Sequence, residues 1–149
     1  KIQPTHMAHV VLVSLVAIFS GCGTINKTSE ELISNASIKQ KYCYSQPTKE
    51  VDQRVKEFLQ KCYRGGESGT YANGTFISYS GLRTLSEQVD GRPRYLVRND
   101  LLVSYVADII PSEGACQTEV RMYAVTSLWS KTIAAVDQNI KTNDAVCSR

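Results

Sequence analysis

Residues 101–125 read LLVSYVADIIPSEGACQTEVRMYAV. Leu101 to Ile110 is dominated by aliphatic and aromatic side chains and predicts a strand. Pro111-Ser112-Glu113-Gly114 predicts a tight turn. From Cys116 onward the residues alternate. Cys116, Thr118, Val120, Met122 and Ala124 share one face, and Gln117, Glu119, Arg121, Tyr123 and Val125 share the other. A slip of one residue would turn the first set outward, so its uniform character marks it as the buried face. The stretch predicts a hairpin of two strands at the centre of an antiparallel sheet.

Upstream, Thr70 to Ile110 reads as a β-meander. TFISY (75–79), Arg83 to Val89 and RYLVR (94–98) are strand-like. Asp90-Gly91-Arg92-Pro93 and Asn99-Asp100 supply turns. Gln40 to Ser45 predicts a first strand, with tyrosines on both sides of Cys43. Between it and the meander, Val51, Val55, Phe58, Leu59, Cys62 and Tyr63 recur with the 3.6-residue period of a helix. Thr48 is the expected N-cap, and Gly65-Gly66 the expected stop. A second helix comes after the hairpin, with Trp129, Ile133, Val136 and Ile140 on its apolar stripe. The order is β-α-β(4–5)-α. It predicts an α+β fold, an antiparallel sheet of about five strands with two amphipathic helices on one face. This order resembles helix-grip domains of small envelope lipoproteins.

The 149 residues suffice for one ordinary domain. Seventeen basic and fourteen acidic residues leave a net charge of +3, too little to predict a nucleic-acid partner. The N-terminus has a different character. Lys1 is basic, and Val10 to Phe19 is an apolar run broken only by Ser14, too short to span a bilayer. Phe19-Ser20-Gly21-Cys22 closes it. These four residues resemble the bacterial lipobox, with Phe19 where Leu is usual. The resemblance implies cleavage before Cys22 and attachment of lipid to its thiol. With Gly23 rather than Asp after the cysteine, it also implies an outer-membrane destination, periplasm-facing. Residues 1–21 are then a signal peptide, 22–39 a flexible tether, and 40–149 a single disulfide-stabilised domain. Ser29 could cap a short helix within the tether. Two or more acyl chains hold a protein stably on a membrane, each methylene contributing about 0.8 kcal/mol.

Removing Cys22 leaves Cys43, Cys62, Cys116 and Cys147, an even set in an exported chain, where disulfides persist. Three pairings exist. If each helix runs back along the strand before it, Cys43–Cys62 and Cys116–Cys147 are the expected bridges.

The only histidines, His6 and His9, lie in the signal segment. The remaining chain therefore has no Ser-His-Asp or Cys-His nucleophile and no histidine-based metal site. No cofactor and no metal are expected. Asp108 and Glu119 could oppose each other across the hairpin as the carboxylate pair of a hydrolase. Arg83, Arg92, Arg94 and Arg98 concentrate positive charge around one hairpin. They are either a solvated edge or a patch for an anionic envelope component. The expected function is a lipid-anchored, non-enzymatic binding or structural module with an envelope protein or anionic component as partner. The alternatives are a carrier of a small apolar ligand between sheet and helices, and a carboxylate hydrolase.

Overall fold

The computed structural model describes residues 25–73 and 75–148. The expected signal segment, with Cys22 and the lipobox-like residues before it, lies outside the described residues. The strands are β1 (Ile38–Tyr44), β2 (Glu67–Ala72), β3 (Thr75–Ser80), β4 (Arg83–Val89), β5 (Arg92–Arg98), β6 (Val103–Pro111) and β7 (Thr118–Ala124). The helices are α1 (Ser29–Asn35), α2 (Thr48–Cys62) and α3 (Ser130–Thr142). The fold is α+β, as the sequence predicts. Five antiparallel strands form the main sheet in the order β1-β7-β6-β5-β4. No helix among the described residues is long and apolar enough to cross a membrane.

The inner face of the sheet carries Tyr44, Val120, Met122, Ala124, Tyr105, Ala107, Ile109, Tyr95 and Val97. Against it pack Val51, Val55, Phe58 and Leu59 of α2 and Ile133, Val136 and Ile140 of α3. Of the stripes expected on the two helices, Val51, Val55, Phe58, Leu59, Ile133, Val136 and Ile140 are buried, while Cys62, Tyr63 and Trp129 at the margins are partly buried. Three polar contacts fix the helices. Tyr95 donates to Asp52 at 2.6 Å, Tyr44 donates to Asp137 at 2.8 Å, and the Asn139 amide donates to the Arg54 carbonyl at 2.9 Å. Thr48 opens α2 but does not cap it. Its hydroxyl accepts from Thr118 at 3.1 Å, which ties the helix to β7 instead.

Three expectations need correction. The first is the pairing of cysteines. The bridges are Cys43–Cys116 and Cys62–Cys147, with Cα atoms 5.3 and 5.4 Å apart, rather than Cys43–Cys62 and Cys116–Cys147. β1 crosses the sheet to pair with β7, in a register of Tyr44 with Thr118, so Cys43 arrives beside the start of β7. α2 and α3 lie side by side, so the end of α2 meets the C-terminal tail. The bridges close 73 and 85 residues of chain, and each contributes about 4–5 kcal/mol by the chain-entropy argument.

The second is the tether. Within it, α1 is docked on the sheet's outer face. Thr28 caps it, accepting from the Glu31 N–H at 3.2 Å, while the Glu31 carboxylate reaches back to the Thr28 N–H at 3.2 Å. Leu32 is fully buried against Leu96, Val103 and Val106, which contributes about 2 kcal/mol. The folded unit therefore begins well before residue 40, and helices cover both faces of the sheet.

The third is the meander. β2 and β3 pair only with each other and leave the main sheet. Gly65 and Gly66, at φ +79° and +129°, adopt backbone that other residues rarely reach, and Gly81 donates to the Gly66 carbonyl. This glycine crossing turns the hairpin away from β4.

Candidate functional site

The four arginines expected as one patch separate into three environments. Arg94 is 7% exposed and lies under α1. Its Nε and Nη2 donate to the two carboxylate oxygens of Asp108, the latter at 3.0 Å. Its Nη1 donates to Glu30 at 2.7 Å and to the Ser29 hydroxyl at 3.2 Å. Ser29 lies 2.7 Å from Glu87 on β4. Hydrogen bonding to Asp108 keeps the Arg94 guanidinium above the ordinary arginine range, against its burial. One cation among three carboxylates cannot attract an anion. Arg94 is a bolt that fastens α1 to the sheet.

Arg92 sits at the β4–β5 turn, 3.6 Å from Asp90. Arg98 is at the other end of the same seven-residue strand, about 20 Å away. Arg92 therefore belongs to no common patch with it.

Arg83 and Arg98 do come together, and Arg64 joins them. Arg83 is the cross-strand partner of Arg98, and Arg64 forms an isolated bridge to Arg83. Three arginines thus stand in a row across three neighbouring segments at one end of the sheet. Like charges at opposed positions are destabilising. Asp100 offsets part of this, accepting from Arg83 at 2.7 Å. Arg98 donates to the carbonyls of Asn99, Asp100 and Lys27 at 2.9, 3.3 and 3.5 Å.

The β5–β6 turn forms the rim of this end. The Asn99 side-chain oxygen accepts from the N–H groups of Leu101 and Leu102 at 2.9 and 2.7 Å. This turn holds Leu101 at the tip, 73% exposed. The Asn26 carbonyl accepts from the Val103 N–H at 2.8 Å, so the N-terminal segment is pinned to the same corner. Ile25, immediately before it, is 61% exposed. Arginines, an apolar turn tip and the first described residues of the chain share one end of the molecule.

Asp108 and Glu119 do not oppose each other. Asp108 is registered with Arg121, and Glu119 with Ile110. Asp108 is held by Arg94. Burial alone would raise the Glu119 carboxyl, but Arg121 and Lys41 outweigh it and hold it below the usual range. Both carboxylates are committed to ion pairs.

Trp129 is half-buried, stacked on Tyr105 with ring centroids 5.8 Å apart and tilted against Tyr63 at 5.5 Å. An open groove of about 210 Å³ runs beside it, lined by Tyr63, Leu82, Leu128, Lys131, Thr132 and Ser148. The Tyr105 hydroxyl is fully buried and has no hydrogen-bond partner among the described residues. Burial pushes its ionisation far up. A larger open groove of about 570 Å³ runs along the outside of α2, and its charged lining is mixed: Lys49 and Arg54 with Glu50 and Glu57. Between sheet and helices the volume is occupied by Phe58, Leu59, Tyr105, Ile109, Met122 and Ile140. Among the described residues no three His, Cys, Asp or Glu side chains converge as a metal site.

Sequence reasoning missed Arg64 and the docking role of Ser29 and Glu30. Arg64 carries no pattern of its own, because only the glycine crossing brings it beside Arg83. For α1 a signal existed, the Thr28–Glu31 spacing of a capping box. No protein-family model, curated protein or solved structure matches the chain.

Proposed function

We propose that this chain is a lipid-anchored cell-envelope protein, held on the outer membrane through Cys22 and facing the periplasm. Its α+β domain serves there as a non-enzymatic binding module. One observation carries the reading. The chain has five cysteines, four of them form two bridges with each other, and the fifth closes an apolar run at a lipobox-like sequence. The bridges fit an oxidising compartment, and they leave Cys22 without a partner in its own chain. A binding role, rather than a carrier role, is favoured by the filled space between sheet and helices. The arginine row is the surface through which an anionic envelope component would be met.

The test is incorporation of labelled palmitate into the full chain and into Cys22→Ser. Label in the first and none in the second is the expected result. No label in either would sink the anchor.

A further inference from the structure

We propose that the end of the sheet bearing Arg64, Arg83 and Arg98, with Leu101 and Ile25 at its rim, docks directly on the surface of an anionic phospholipid bilayer. The orientation rests on the anchor reading above; the surface itself rests on the described residues.

Three independent features meet there. The first is charge. Lys27, Arg64, Arg83 and Arg98 gather at this corner, where Asp100 pairs with Arg83. A row of opposed like charges is a cost to the isolated domain that an anionic surface would relieve. Each basic residue near such a surface contributes about 1 kcal/mol of attraction. The second is apolar surface. Leu101 and Ile25 are exposed large hydrophobic side chains, and both lie at this corner, beside the basic row. A soluble anion would use the arginines and leave the two apolar side chains in water. A bilayer takes both, with the cations at head-group level and the aliphatic tips below.

The third is the length of chain. Only Gly23 and Thr24 lie between Cys22 and Ile25, a reach of about 10 Å when extended. The Asn26–Val103 hydrogen bond and the Arg98–Lys27 contact hold residues 26 and 27 against the β5–β6 turn. A lipid on Cys22 therefore brings this corner, and no other, to the membrane. The opposite end, at Pro111–Gly114, lies beyond the whole length of the nine-residue strand β6, about 30 Å away.

The experiment uses the full chain, with the state of Cys22 read by mass spectrometry. The protein is reconstituted into phosphatidylethanolamine–phosphatidylglycerol vesicles and into phosphatidylcholine vesicles, and backbone deuterium uptake is measured. Uptake at residues 99–103 should slow several-fold in the anionic vesicles alone, while residues 111–117 exchange equally in both. Arg64→Gln combined with Leu101→Ser should abolish the difference while leaving exchange in α2 and α3 unchanged, which shows that the variant is folded. Equal uptake at 99–103 in both vesicle types would overturn the proposal. So would protection that survives in the double variant, or protection that appears only when lipopolysaccharide replaces phosphatidylglycerol. An unmodified Cys22 would defeat the anchor alone. The docking surface would then stand or fall on flotation of the same chain with anionic vesicles. A loss of tenfold or more in the double variant upholds it, and no loss rejects it.

Discussion

The two faces of the sheet are held by different physics. On the inner face, side chains of two long helices interlock with those of β1, β5, β6 and β7, and most are fully buried. On the outer face, a helix of seven residues is held by one buried leucine and a charged cluster around Arg94. Apolar packing is shared among many neighbours, so the inner face unfolds only with the whole domain. The outer contact depends on a few groups, and each can be removed separately. The molecule therefore combines a cooperative core with a locally detachable cover.

Substitutions put that contrast at risk. Phe58→Ala cuts into the shared core and should cost about 3–5 kcal/mol in urea unfolding, with the whole domain destabilised as one unit. Two separate transitions would show that the inner face is not cooperative. Arg94→Leu removes the bolt and leaves Asp108 half-covered without its cation, a loss of about 3 kcal/mol where a buried pair is broken. Amide exchange should accelerate in α1 and leave α2 nearly unchanged. Equal acceleration in both would erase the distinction between the faces.

Two smaller effects refine it. Tyr105→Phe deletes a buried hydroxyl that has no partner among the described residues, and should stabilise the domain by about 1 kcal/mol in the same urea assay. Destabilisation would mean that the inner face uses that hydroxyl. The smallest effect is acidification. The Glu30 carboxyl lies below its ordinary value of 4.5, first through a backbone hydrogen bond at the start of α1 and then through Ser29 and Arg94, against its partial burial. A depressed carboxyl stabilises the fold above its unfolded value and loses that contribution as pH falls through the folded one. Exchange in α1, corrected for intrinsic rates, should rise below about pH 4.5 before any change in α2. An α1 indifferent to acid would mean that Leu32 alone holds it.

Much of the inner face is legible in the sequence because its signals are local. The period of Val51, Val55, Phe58 and Leu59 and the alternation of Thr118, Val120, Met122 and Ala124 each fix a buried face within one element. The outer face is not legible there, because its meaning depends on distant chain. Arg94 reads as one of a series of surface arginines until α1, more than sixty residues upstream, is laid over it. The same holds for the cysteines. Pairing each with its sequence neighbour fails once β1 crosses to β7 and α2 lies beside α3. Half of the expected basic patch survives, since Arg83 and Arg98 are cross-strand partners. Its third member, Arg64, requires the glycine crossing.

The bridge from Cys43 to Cys116 also decides how the domain yields to force. Tension on the N-terminal segment first meets the Asn26–Val103 hydrogen bond, then strips α1 from the outer face. Next it opens the edge strand β1 from its Ile38 end, one pair at a time. At Cys43 the covalent link to the start of β7 stops the unzipping. The eighteen residue steps from Ile25 to Cys43 are thus an extensible leash on the order of 60 Å long. Until that stop is reached the load falls on α1 and β1, so the domain can lengthen under a pull before its other four sheet strands, α2 and α3 are loaded.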